Sequence, residues 1–287
     1  MTNAKILITV DTEVGEGAKF IKDGFEKFIL GEVGEEYFGV PKIVETLDEF
    51  EIKAEFFTDV YEYKFFGESK YNKLCNYLNE RGHGVQLHTH PSYAYDLNRV
   101  NMYEYSLEEQ ITIIKEGKEL IKKWIGEYPI AHRAGNYGAD NNTLIALKYN
   151  GIQCDSSYFY SHRNCNMKLP VINDPINYEG ILEIPVTVIE KRLEIFGFKL
   201  PCKKRWIKLD IDLMTLEELI NGITNLLNKY KYTVLFLHSF SFIETNMPKY
   251  DHCVQNIKSI NKFRDLLVFL KKNEIECIRF EDVLNQL

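Results

Sequence analysis

Short runs of apolar and β-branched residues alternate along this chain with longer stretches whose apolar positions recur every three to four residues. That is the pattern of β/α units assembled into a parallel sheet or barrel. Lys5-Ile6-Leu7-Ile8-Thr9-Val10 predicts a first strand that runs into the acidic Asp11 and Glu13. Pro41 to Phe50 opens with proline at a helix start and places Ile43, Val44, Leu47 and Phe50 on one face. Ala54-Glu55-Phe56-Phe57-Thr58 is the next strand, and the region around Tyr71 to Arg81 is a helix stopped by Gly82. Val85-Gln86-Leu87 then delivers His88 and His90. Ser106-Leu107-Glu108-Glu109 reads as a capping box, and the helix it opens ends near Gly126 and Pro129.

The second half continues the alternation. Asn141 or Asn142 caps a helix closed by Asn150-Gly151, and Ile152-Gln153-Cys154 leads to Asp155. Leu182-Glu183-Ile184-Pro185-Val186 is a further strand, and Thr215 to Glu218 is a second capping box. Thr233-Val234-Leu235-Phe236-Leu237 is a nearly all-apolar buried strand ending on His238. A last helix spans Ile257 to Lys272, and Cys277-Ile278-Arg279-Phe280 closes the sheet. Gly15 to Glu36 and Val188 to Leu213 read as long loops or insertions. The fold expected is α/β, a distorted (β/α) barrel, with residues 1–287 as a single domain because no repeat or linker interrupts it.

Composition changes this picture only by exclusion. Hydrophobic residues make up 45% and charged residues 27%, which leaves no room for a long disordered tail. The net charge is -7 and the densest basic run is Lys203-Lys204-Arg205, so a nucleic-acid partner is not expected. Cys75, Cys154, Cys165, Cys202, Cys253 and Cys277 form no C-x-x-C pair and read as reduced structural thiols. The first residues run straight into Ile6-Leu7-Ile8 with no basic n-region or cleavage site, and no apolar stretch reaches membrane-spanning length. These features predict a cytoplasmic protein without a membrane span, acting on something met there.

Candidate chemistry comes from where polar residues fall. Asp11, Glu13, His88, His90, Arg133, Asp155 and His238 all sit at or just past the C-terminal ends of predicted strands. In a barrel those ends share the face that carries the active site. Singly, each has an ordinary reading as a turn or a hydrogen-bonded structural residue; their coincidence at one topological position does not. Asp11 and Glu13 stand two apart, so both project to one side of an extended strand. Facing carboxylates repel unless a cation or arginine lies between them. His88 and His90 share that spacing, and two histidines with a carboxylate make an open hydrolytic metal site with zinc the commonest occupant.

These residues resemble the polysaccharide deacetylases with a NodB homology domain, carbohydrate esterase family four. Thr9-Val10-Asp11-Thr12-Glu13 is similar to the family's acidic motif, and Gly82-His83 through His88-Thr89-His90 to its histidine motif. His132-Arg133-Ala134-Gly135-Asn136-Tyr137-Gly138 is similar to the R-x-P loop, and Leu235-Phe236-Leu237-His238-Ser239 to the late L-x-x-H strand. Lesser similarities are Lys53-Ala54-Glu55-Phe56-Phe57, Asp155-Ser156-Ser157 and Leu182 to Val186. Three positions depart from the family. Thr12 replaces its second Asp, Ser92 stands where its second ligand His falls, and Ala134-Gly135 replaces the proline of the R-x-P loop.

The resemblance implies metal-assisted removal of an N-acyl group, N-acetyl foremost, from an amino sugar or sugar conjugate. Glu13, His88 and His90 would hold a divalent ion, with zinc expected. Asp11 would be the general base, with Arg133 holding its charge, and His238 the general acid. Asp155 is assigned as the carboxylate behind His238, with Glu183 in reserve. Asn136 and Tyr137 are candidate substrate contacts in a loop whose backbone N–H groups would meet the oxyanion. Tyr93, Tyr95, Tyr158 and Tyr160 are further stacking candidates, each with an equally good reading as an ordinary core or surface tyrosine. His83 reads as structural. Two alternatives stay open: a metal-independent C–N hydrolase of the same fold acting on a small amide or ureide, and a catalytically inactive sugar-binding relative.

Overall fold

In a computed structural model, which describes residues 4–195, 198–246, 250 and 252–286, eight strands form one curled sheet. In chain order these are β1 (Lys5–Thr12), β2 (Glu55–Asp59), β3 (Gly84–Thr89), β4 (Ala131–Ala134), β5 (Cys154–Asp155), β6 (Ile176–Tyr178), β7 (Ile181–Glu183) and β8 (Tyr232–His238). They lie side by side in the order β8-β1-β2-β3-β4-β5-β7-β6. Every neighbouring pair is parallel except β6 with β7. Past β8, Leu209 N–H donates to Thr187 and Phe236 N–H to Leu209, carrying the curl toward closure. This is the expected distorted (β/α) barrel, and it sets all parallel strand ends on one mouth.

Six main helices cover the outside: α1 (Val40–Glu49), α2 (Glu68–Glu80), α3 (Leu107–Ile125), α4 (Asn141–Tyr149), α5 (Leu216–Leu227) and α6 (Ile257–Lys272). The capping boxes at Ser106 and Thr215 form as the sequence predicts, each side chain accepting from the N–H three residues on. At α4 the cap is Asp140, not Asn141 or Asn142; its side chain accepts from Thr143 N–H.

The period-two alternation of the strands organises the interior. Ile6, Ile8 and Val10 of β1 face the helices, whereas Leu7 packs inside the barrel with Phe57, Ala131, Cys154, Leu182 and Val234. The helical turn Phe280–Leu284 plugs that interior from below, and Phe280 N–H donates to the buried Glu55. The expected closing strand at Cys277 to Phe280 therefore reduces to one bridge, Ile6 to Cys277, before the chain turns helical.

The two expected loops have structure. In the first, Phe25–Leu30 forms a π-helical turn that buries Phe25, Phe28 and Ile29, a spacing too short to read as a helix in advance. In the second, Val188–Ile195 pairs antiparallel with Phe198–Lys208. Cys75, Cys154, Cys165, Cys253 and Cys277 are unpaired as expected, and the side chain of Cys202 lies outside what is described. No helix among the described residues is long and apolar enough to cross a membrane.

Candidate metal and acid–base site

The inward parity of β1 carries the site upward from the core. Above Leu7 comes Thr9, then Asp11, then Glu13 at the mouth. At the Thr9 level the guanidinium of Arg133, fully buried, lies between the rings of Phe57 and Phe236 at 4.2 and 4.6 Å. It donates to Thr9 Oγ1 at 3.1 Å, to the carbonyl and hydroxyl of Ser156 at 3.0 Å each, and to Asp11 Oδ1 at 2.6 Å. A buried arginine with this many directed bonds has little freedom, so it fixes Asp11 in position as well as balancing its charge.

His88, one residue before the end of β3, has the same inward parity. Its Nδ1 lies 2.8 Å from the Arg133 carbonyl, and a carbonyl only accepts, so Nδ1 carries the proton and Nε2 presents its lone pair. That lone pair faces Glu13 Oε2 at 3.3 Å and Asp11 Oδ2 at 4.0 Å. His90 brings Nε2 to 2.5 Å from the same Glu13 oxygen, yet neither of its ring nitrogens has a hydrogen-bond partner among the described residues. The atoms therefore converge on a common point more than they bond to one another. All three ligand atoms lie within 4.8 Å of each other.

Lone pairs of two imidazoles and a carboxylate meeting in a buried space need a positive centre between them, a proton or a metal ion. Burial raises the Glu13 carboxyl, but the charge of His90, the largest opposing cause, leads the effects of the two imidazoles that outweigh it and hold Glu13 well below its ordinary value. Burial likewise lowers His90, and the Glu13 charge overcomes that to push it well up. The proton that His90 holds thus plays the part a cation would take. Two imidazoles and one carboxylate suit a divalent transition ion such as zinc, and the donated Nδ1–H of His88 is the orientation metal-ligating histidines adopt.

Two buried acids behind this set have no counterpart among the expected site residues. Asp59 ends β2; its Oδ1 accepts from Tyr61 N–H at 3.1 Å, while Oδ2 has no partner among the described residues. Burial pushes its carboxyl up to about 7, with His90 and His88 opposing and Glu13 adding to the rise. Glu62 accepts from Val14 N–H and Tyr71 hydroxyl at 2.7 and 2.6 Å, and burial with the Asp59 charge pushes it well up. Asp59 stands at a C-terminal strand end like Asp11, so the rule that singled out Asp11 also covers it.

On the neighbouring strand β8, His238 is the register partner of Asp11. Its Nδ1 lies 3.4 Å from Asp212 Oδ2, which also accepts from Ser241 hydroxyl at 2.7 Å, while Ser241 Oγ accepts from His238 N–H at 2.9 Å. The ring stacks on Phe240 at 4.9 Å. Asp212, not Asp155 or Glu183, is the carboxylate behind His238. Burial raises Asp212, and the hydrogen bond and charge of His238 bring it below its ordinary value.

Asp155 is excluded by strand parity. Its neighbour Cys154 faces the barrel interior, so Asp155 faces outward, where it sits 2.7 Å from His132 Nδ1 and accepts from Ser157 hydroxyl at 2.9 Å. His132 in turn meets Thr89 hydroxyl at 3.0 Å, and Glu183 accepts from Tyr158 N–H at 3.0 Å. This outward cluster is fully buried. Asp210, Asp212 and His238 also gather within 4.8 Å, but the Lys208 ammonium lies 2.7 Å from Asp210 Oδ2 and already supplies the positive charge there.

Asn136 and Tyr137, the expected substrate contacts, occupy the mouth in consecutive left-handed conformations with φ 54° and 58°. Tyr137 hydroxyl accepts from Lys208 at 2.7 Å, and its ring packs on Phe159, His162 and Phe236. Of the other tyrosines, Tyr93 and Tyr158 are buried, the latter donating to backbone carbonyls of Leu169 and Val171.

Residues 36–154 match the family model described as polysaccharide deacetylase, a span that holds Asp59, His88, His90 and Arg133. No curated protein matches in sequence. Among solved structures, a Mycobacterium smegmatis protein described as a polysaccharide deacetylase aligns with TM-score 0.63 at 13% identity, covering 99% of this chain and 90% of its own. The Bc1960 peptidoglycan N-acetylglucosamine deacetylase aligns with TM-score 0.53 at 14% identity, covering 98% and 89%. A family 4 acetyl xylan esterase from Clostridium thermocellum, in complex with a cobalt ion, aligns with TM-score 0.51 at 12% identity, covering 98% and 90%. Residues 36–154 are thus similar in sequence to polysaccharide deacetylases, and nearly the whole chain shares the fold of these solved structures.

Proposed function

We propose that this protein is a metal-dependent deacetylase that removes an N-acetyl group from an amino sugar or sugar conjugate. The observation that carries the reading is the convergence of Glu13, His88 and His90 on one buried point beside an arginine-held Asp11, whose register partner on the next strand is His238. A divalent ion bound by those three residues, zinc foremost, would polarise the acyl carbonyl and ease ionisation of a water molecule.

The chain's own residues supply the rest. Asp11, fixed by Arg133, accepts the proton of the attacking water through Oδ2, the oxygen that Arg133 leaves free. His238 gives a proton to the leaving amine, which amide cleavage requires. Asp212 orients that imidazole, while Phe240 stacks on its face. The loop at Asn136 and Tyr137 rims the mouth from the other side and is where the sugar would bear. Keeping a base, its arginine and an acid at one mouth of the barrel supports an enzyme over a sugar-binding relative, because binding alone needs none of them.

The test is elemental analysis of the purified protein joined to acetate release from N-acetylglucosamine oligosaccharides before and after chelation. About one divalent ion per chain is expected, with activity lost on chelation and restored by zinc or cobalt. Activity indifferent to chelator in metal-free protein sinks the metal-dependent reading and leaves the metal-independent amide hydrolase.

A further inference from the structure

His90 reaches its position against Glu13 only because residue 135 carries no side chain. A Cβ built on Gly135 would lie 2.4 Å from both Cε1 and Nε2 of His90 and 2.6 Å from Cδ2. Near-equal distances to three ring atoms mean the added carbon would press into the face of the imidazole beside its inward nitrogen. The ring cannot retreat cheaply. It is buried, with Glu13 Oε2 at 2.5 Å from Nε2, Glu16 Oε1 at 3.5 Å from Nδ1, and the His88 ring 5.0 Å away. The position two residues on is also committed: Ser92 hydroxyl donates to Glu16 and accepts from the buried Lys19 ammonium at 2.6 Å.

The geometry points to Gly135 as a positioning residue for His90: the bare backbone of the β4 loop is the wall against which that imidazole is set, and any side chain there displaces it from the point it shares with Glu13 and His88. Glu16, Lys19 and Ser92 close the opposite side. The third donor of the site, itself in the loop after β3, is thus set between the loop after β4 and the loop after β1, and not by its own strand.

A double-mutant cycle between Gly135→Ala and His90→Ala tests this, read by thermal melting and by cobalt titration. The melting arm does not depend on metal binding, whereas the cobalt arm rests on the proposed function, so failure of one is distinguishable from failure of the other. Gly135→Ala should lower Tm by roughly 3–8 °C, the size expected for overpacking a buried site in a protein this large. In the His90→Ala background the same change should cost under about 1 °C, because the ring it strikes is gone. Gly135→Ala should also weaken cobalt binding by at least about tenfold, as loss of a supporting contact does. Should Gly135→Ala fail to fold, recovery of folding in the double variant supports the pairing, and its failure there overturns it. Equal Tm losses in both backgrounds, or wild-type cobalt affinity in folded Gly135→Ala where the wild type binds cobalt, overturn it as well.

Discussion

Two clusters of imidazole and carboxylate sit on opposite faces of the same sheet, reached from adjacent residues of the same strand. His132 and Arg133 are consecutive in β4, yet His132 joins Asp155 on the outer face while Arg133 joins Asp11 in the barrel. In the outer cluster His132 meets a partner at each ring nitrogen, at 2.7 and 3.0 Å. In the inner one, both His90 nitrogens and Asp59 Oδ2 lack hydrogen-bond partners while pressing against other charges. The residue types are alike and the burial is alike. Glu183 Oε2 in the outer cluster also lacks a partner among the described residues, so what separates scaffold from site is whether the imidazole nitrogens are already satisfied by the chain, because leaving them unsatisfied is costly unless something else completes them.

The widest separation between the clusters should come from removing a histidine of the inner one. His88→Ala should abolish metal binding and activity together, since it leaves Glu13 and His90 with no third donor. Parallel elemental analysis and acetate assays check this, and a variant that keeps both metal and rate would place the ion elsewhere. Asp11→Asn should cost roughly 10²- to 10⁴-fold in rate while the metal stays bound, because Glu13 and not Asp11 is the proposed ligand. An empty metal site in Asp11→Asn would reverse the roles of the two acids.

The outer cluster should respond in stability instead. Asp155→Ala strands His132 Nδ1 and the Ser157 hydroxyl in a fully buried space, a loss of about 3–5 kcal/mol in urea unfolding. Its folded fraction should retain the wild-type metal content. If Asp155→Ala instead loses rate at full stability, the division between the faces is wrong. Asp212→Asn is the sharper probe of the acid. It should slow amide hydrolysis by roughly 10²-fold and scarcely affect an acetate ester with a good leaving group, which needs little help from a proton donor. Equal slowing of both substrates would remove His238 from the acid role.

The comparison also shows what the sequence could carry. Helix α3 with its capping box and α6 were legible because many residues repeat one pattern, and so were β1 and β8. Asp11, Glu13, His88 and His238 were legible as polar residues terminating such strands. Asp155 was misplaced because β5 is two residues long, Cys154 and Asp155, and a strand that short displays no alternation from which to read its inward side. Asp212 lies in the turn after the Val188 to Lys208 hairpin and meets His238 across 26 positions with no local pattern to announce it. The contact of Gly135 with His90 spans two loops and leaves no trace in either one alone. Asp59 was legible by the strand-end rule, as the residue that closes β2 after Thr58.

His83 sits between the two clusters in character and gives the smallest and most graded test. Its Nδ1 accepts from Ala54 N–H at 3.2 Å like a scaffold residue, while Nε2 has no hydrogen bond and stands 3.6 Å from Asp48 Oδ1. Burial, with the charge of Lys53 adding and Asp48 opposing, lowers it to about 4. The folded chain therefore holds His83 neutral where the unfolded chain, with an ordinary histidine near 6.5, takes up a proton. Stability from this residue is fully present above about pH 6.5 and drains away as pH falls toward about 4. Between pH 6.5 and 5.5 the loss should amount to ~1 kcal/mol, below the limiting slope for one proton. His83→Gln should flatten that part of the unfolding curve and leave metal content untouched. A wild-type curve already flat there would mean that Asp48 holds the imidazolium after all, and a fall in metal content on substitution would move His83 from the scaffold to the site.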